Sequence, residues 1–114
     1  IHAFDGLHKG QFEVQALAYW NLKKAFPIVR GEYKVKRPEF GRLGARLDIA
    51  IFDKKAQLRL IIEVKKSVRS FSTRQATRYS ELTGVPCMYI RGWEQAFEVV
   101  GLVKQFIKDR GIVI

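Results

Sequence analysis

The stretch LDIAIFDKKAQLRLIIEVKK, residues 47–66, constrains this chain more than any other. Two runs rich in Ile, Leu and Val flank a short polar joint, DKKAQ, a pattern that specifies two strands joined in a hairpin. Asp48, Glu63 and Lys65 nevertheless stand inside those runs, where a packed sheet would ordinarily favour Ile or Val.

The flanking sequence supplies the cover such a hairpin needs. Residues 10–26 read as a first helix, ended by Pro27, with an apolar surface broad enough to be largely buried. IVRGEYKV (28–35) reads as a strand with a bulge or bend at Gly31, and KRPEFGRLG (36–44) as a loop. Strands are expected over 46–52 and 58–66, a helix over 73–83 stopped by Gly84, and a buried strand over 85–90. After Gly92 one last helix is expected to run to about Arg110, with Ala96, Val99, Val100, Val103, Phe106 and Ile107 facing the core. The order α-β-β-β-α-β-α defines an α/β fold, a mixed central sheet flanked by helices. At 114 residues, with no repeats or linkers, residues 1–114 are expected to form a single domain.

Composition narrows the function classes. No run approaches the roughly 20 apolar residues that cross a bilayer, and the N-terminus lacks a signal peptide's apolar run, so an intracellular, cytoplasmic protein with no membrane partner is expected. The chain opens on Ile1 rather than Met, which leaves room for removed sequence before it. The lone Cys87, between Pro86 and Met88, excludes an internal disulfide and a cysteine-rich metal cluster and reads as a buried strand thiol. Twenty-one Lys and Arg against eleven Asp and Glu leave a net charge of +10, which points to a polyanion such as DNA.

Carboxylates inside the sheet work against phosphate binding and therefore need their own account. Alternation puts Glu63 and Lys65 on one face of their strand, and hairpin pairing can bring Asp48 level with Glu63. Two carboxylates that close repel unless one keeps a proton or a cation lies between them. Mg²⁺ prefers such oxygens and bridges to phosphate, and Lys65 could steer an attacking water or balance developing charge. The ordinary alternative for a Glu-x-Lys triplet on an exposed strand is a solvated salt bridge.

The helices add candidates. With Glu13 as origin, Ala16, Leu17 and Trp20 fall at i+3, i+4 and i+7, which places its carboxylate within the apolar stripe of the first helix. The alternative is an edge residue paired with Lys24. Gln75, Arg78, Tyr79 and Leu82 share a face of the second helix, with Arg74 beside them, and fit an approaching phosphate backbone.

Glu13 on an opening helix, Asp48, fourteen intervening residues, EVK at 63–65, and a helix carrying Gln75 and Tyr79 together resemble the PD-(D/E)XK nuclease superfamily, the restriction-endonuclease-like fold. The resemblance covers residues 10–91 and departs from the signature at Leu47, where the family name has Pro. It implies a metal-dependent endodeoxyribonuclease that hydrolyses phosphodiester bonds, of restriction, homing, junction-resolving or repair type. Asp48 and Glu63 would be the metal-binding acids, the Val64 carbonyl a further ligand, and Lys65 the catalytic lysine, with Glu13 and Gln75 in support. The cofactor would be Mg²⁺, for which Mn²⁺ can substitute. DNA contacts are expected from Lys36, Arg37, Arg42 and Arg46 on one side, and from Lys66, Arg69, Arg74 and Arg78 on the other. One compact site cuts one strand, so double-strand cleavage would call for a homodimer or larger homo-oligomer. The alternatives are a catalytically inactive DNA-binding module of the same fold, or the nuclease domain of a larger restriction or repair enzyme.

Overall fold

The computed structural model describes residues 9–36, 41, 44–65 and 74–114. They form helix α1 (Lys9–Ala25), strands β1 (Ile28–Val35), β2 (Ala45–Phe52) and β3 (Leu58–Lys65), helix α2 (Arg74–Thr83), strand β4 (Cys87–Arg91), and helices α3 (Gly92–Phe97) and α4 (Val99–Arg110). The strands make one mixed sheet in the order β1-β2-β3-β4. The first two pairings are antiparallel and β3 pairs with β4 in parallel, α2 carrying the chain between them. The architecture is α/β, as expected.

The hairpin turn is built by Asp53. Its Oδ1 accepts hydrogen bonds from the N–H groups of Lys55 (2.8 Å) and Gln57 (3.0 Å). Its own N–H donates to the Gln57 carbonyl at 3.0 Å and closes the loop. A short side chain that bonds backbone a few residues on is what favours Asp in turns.

Each face of the sheet has its own core. On one, Ile49, Ile51, Leu60, Ile62, Val64 and Ile90 pack with Val14, Ala18 and Leu22 of α1 and with Ala96, Val99 and Val103. On the other, Leu47, Ala50, Phe52 and Ile61 pack with Tyr79, and Leu82 of α2 lies against them. Full burial of a Leu or Ile contributes about 1.5–3 kcal/mol, so a dozen large buried side chains are the main source of stability.

Three expectations are corrected. The last helix is two: Glu98 takes φ −93° and ψ 8°, so the axis breaks, while Glu98 N–H to Glu94 O and Leu102 N–H to Glu98 O carry hydrogen bonding across the break. The bend in β1 lies at Glu32, whose φ is 50°, one residue beyond Gly31. The buried stripe of α1 is Val14, Ala18 and Leu22, at i, i+4 and i+8, and Phe12 and Trp20 face outward, so α1 is less enclosed than its apolar content suggests. Among the described residues no helix is long and apolar enough to cross a membrane.

Candidate functional site

The pairing of β2 with β3 stops one rung short of the two acids. It runs from Phe52/Leu58 to Ile49/Ile62, whereas β2 keeps its register with β1 down to Val35/Ala45. Beyond Ile49 the backbone of β2 no longer serves β3, and the Asp48 side chain does so instead. Its Oδ2 accepts a hydrogen bond from the Val64 N–H at 2.8 Å.

A change of phase in β2 makes this possible. Leu47 and Ala50 pack on the α2 side of the sheet while Ile49 and Ile51 pack on the α1 side. Strict alternation would put Leu47 with Ile49, so the strand twists over within the Asp48 interval. Opposite it, the Glu32/Asp48 rung is the one missing from an otherwise constant register, and Glu32 adopts its left-handed φ there. A non-glycine residue in that region costs on the order of 1 kcal/mol.

Neighbouring side chains hold the twisted segment. Gln15 of α1 donates from Nε2 to the Asp48 carbonyl at 3.1 Å and to Glu32 Oε1 at 3.3 Å. Glu32 Oε2 lies 3.2 Å from Arg46 Nε. On the far side, the Tyr79 hydroxyl donates to the Arg46 carbonyl at 3.4 Å. Sequence reasoning missed Gln15 and Glu32. The one available signal for Gln15 is an amide next to Val14 in a helix that has to pack on a sheet.

Glu63 is 4% exposed. Its pKa is pushed up to about 9, first by burial and then by the Asp48 carboxylate beside it, with the Lys65 ammonium pulling weakly the other way. Burial and the neighbouring Asp48 carboxylate thus favour the protonated form of Glu63, because two anions so close and so poorly solvated resist joint ionisation. Its Oε1 is buried and finds no hydrogen-bond partner among the described residues. Cys87 is held up at about 12, by burial and then by the two acids, and is an inert thiol.

This donor set fits a hard divalent cation. The pair offers two carboxylates and one buried oxygen without a partner. A strand residue directs its N–H and C=O to the same side, so the Val64 carbonyl faces the gap that its N–H reaches across to Asp48. Lys65 follows on the same face of β3, its Nζ 5.6 Å from the ring centroid of Tyr89 on β4. The Arg91 guanidinium lies 4.9 Å from the same centroid.

The remaining candidates separate. Among the described residues no three of His, Cys, Asp and Glu come together to hold a metal, so Glu13 does not join Asp48 and Glu63 in a three-acid cluster. It is half-buried on α1, beside the Val14–Ala18–Leu22 stripe: of the residues counted with it, Leu17 packs against the core and Trp20 is 58% exposed. Tyr79 is a core residue of the α2 face. Lys36, Arg46 and Arg78 are exposed. Arg37, Arg42, Lys66 and Arg69 lie outside the described residues, as do the side chains of Arg74 and Gln75. Comparisons with protein-family models, with curated proteins and with solved structures give no match to this chain.

Proposed function

We propose that the chain is a metal-dependent nuclease acting on DNA, with Asp48 and Glu63 as the acids that hold Mg²⁺ and Lys65 as the adjacent ammonium. One observation carries the reading: a buried acid pair, Glu63 only 4% exposed beside Asp48, whose Glu63 Oε1 has no hydrogen-bond partner among the described residues. A purely structural pair of this kind would be costly, since an unpaired buried polar group destabilises by about 1–3 kcal/mol. Asp48 and Glu63 would hold a divalent cation in place of a proton, and the cation would give Glu63 Oε1 a partner. When bound, it would polarise a phosphodiester and lower the pKa of a coordinated water. Lys65, on the same face of β3, balances charge that develops on the phosphate. The +10 net charge supports a polyanionic substrate.

A second reading is a DNA-binding module of similar shape without turnover. It is favoured by the meeting of two acids rather than three among the described residues. Incubation with supercoiled, linear and branched DNA, in Mg²⁺ and in EDTA, separates the two. Mg²⁺-dependent scission that Glu63→Gln abolishes supports the nuclease. DNA binding with no scission in Mg²⁺ or Mn²⁺ supports the module.

A further inference from the structure

Between α1 and β1 lies a groove of about 400 Å³ that the acid pair does not use. Phe12, Tyr19 and Trp20 supply aromatic walls, Gly31 lies beneath, and Gln15 and Glu32 form a polar end. Phe12 is 43% and Trp20 58% exposed, and the Tyr19 and Trp20 rings meet edge to face at 5.3 Å. A Cβ at Gly31 would stand in ordinary contact with Tyr19 Cδ1 (3.4 Å) and the Asp48 carbonyl oxygen (3.9 Å), which places this part of the groove beside the acid-bearing strand, and a branched side chain there would reach into it. Gln15 spans the same distance, bonding Glu32 and the Asp48 carbonyl with one amide.

We propose that this groove seats an unpaired nucleobase of the DNA strand held at Asp48 and Glu63. The preferred substrate would then carry an unstacked or single-stranded base next to the scissile phosphate, rather than a perfect duplex. The proposal rests on the reading of the chain as one that acts on DNA.

The chemistry of the groove selects this occupant. A base presents a flat π face and an edge with both donors and acceptors, and the groove offers aromatic rings, an amide and a carboxylate. Cations lie at its margin, with Lys23 Nζ 5.5 Å from the Tyr19 centroid and Arg46 on Glu32, where the phosphates flanking an extruded base would run. An aliphatic side chain from a protein partner would meet the aromatic walls but make no use of the Gln15 carbonyl oxygen at the polar end. A second copy of the chain would bring +10 against +10.

The test measures binding in EDTA, with labelled oligonucleotides followed by anisotropy and Trp20 followed by fluorescence in a Trp93→Phe background. The probes are a single-stranded deoxyoligonucleotide, an abasic strand of equal length and charge, and a fully paired duplex. The base-bearing strand should bind on the order of tenfold more tightly than the abasic one and quench Trp20, as aromatic stacking on a base implies. Trp20→Ala and Gly31→Val should each remove that preference and leave the salt dependence unchanged. Val suits a strand position, and Trp20→Ala carries the test if circular dichroism shows Gly31→Val misfolded. Equal affinity for both strands overturns the proposal, as does a preference that survives Trp20→Ala or a Trp20 signal that depends on protein concentration without DNA. Scission is scored separately in Mg²⁺. Scission without base preference overturns the groove assignment alone, and base preference without scission overturns the nuclease reading alone.

Discussion

The Asp48 carboxylate caps the Val64 N–H at 2.8 Å, just beyond Ile49/Ile62, the last backbone pairing of β2 with β3. The two acids of the site are therefore not equivalent. Asp48 is part of the sheet's hydrogen bonding, and Glu63 is a buried acid with one oxygen that no described residue serves.

Asp48→Ala should destabilise the metal-free protein by about 1–3 kcal/mol, because it leaves a buried N–H without an acceptor. Glu63→Gln should be neutral or stabilising at pH 7, because it removes a group that resists ionisation there. Urea unfolding in EDTA checks both, and equal losses in the two variants would refute the asymmetry. Both variants should lose Mg²⁺-dependent scission.

The stability of the metal-free protein should fall as pH rises. Glu63 has its pKa raised from 4.5 to about 9 in the folded chain, so between those values the folded state holds a proton that the unfolded state has released. The favourable term is fully present below about pH 4.5 and is lost as pH climbs toward about 9. Glu63→Gln should flatten the slope. Denaturation midpoints at pH 5.5, 6.5 and 7.5 in EDTA give the comparison.

Metal binding should run the other way. On the proposed reading Mg²⁺ would compete with a proton at Glu63 and Asp48, so its affinity should increase with pH and each binding event should release a proton. Calorimetry in buffers of different ionisation enthalpy measures that release. A proton count of zero would remove the acid pair from the metal site.

Lys65→Ala should lower kcat by about 10²-fold or more while DNA affinity changes only a few-fold, since its interaction is with charge that develops at the phosphate. Binding lost with turnover retained would make Lys65 a simple phosphate contact. Gln15→Leu should also act mainly on kcat, by freeing the Asp48 carbonyl and loosening the twisted segment, with a stability loss of about 1 kcal/mol.

DNA affinity should fall with salt at a log–log slope of roughly −0.9 per phosphate neutralised. Lys36→Ala should make the slope shallower by about one contact, and Arg46→Ala by less, because Arg46 already faces Glu32 at 3.2 Å. A flat salt dependence would take nucleic acid out of the reading.

The sequence by itself determined most of the elements, though not the break in the last helix, and the nearness of the two acids. Strand hydrophobicity, the DKKAQ turn, Pro27 and Gly84 are local signals, and the short hairpin brings Asp48 level with Glu63 once the strands pair. What the tertiary structure alone decided is what surrounds that pair. The opening of the ladder after Ile49 depends on the twist of β2 against β1, and the amide that holds it comes from Gln15, thirty-three residues away in the chain. Glu13 shows the converse. Its spacing to Ala16, Leu17 and Trp20 marks an apolar stripe, but the face a helix buries is set by the sheet it packs on, and the sheet takes Val14, Ala18 and Leu22. Trp20 is left at the rim of the groove beside β1, because helical periodicity fixes which residues share a face and only packing fixes which face is covered.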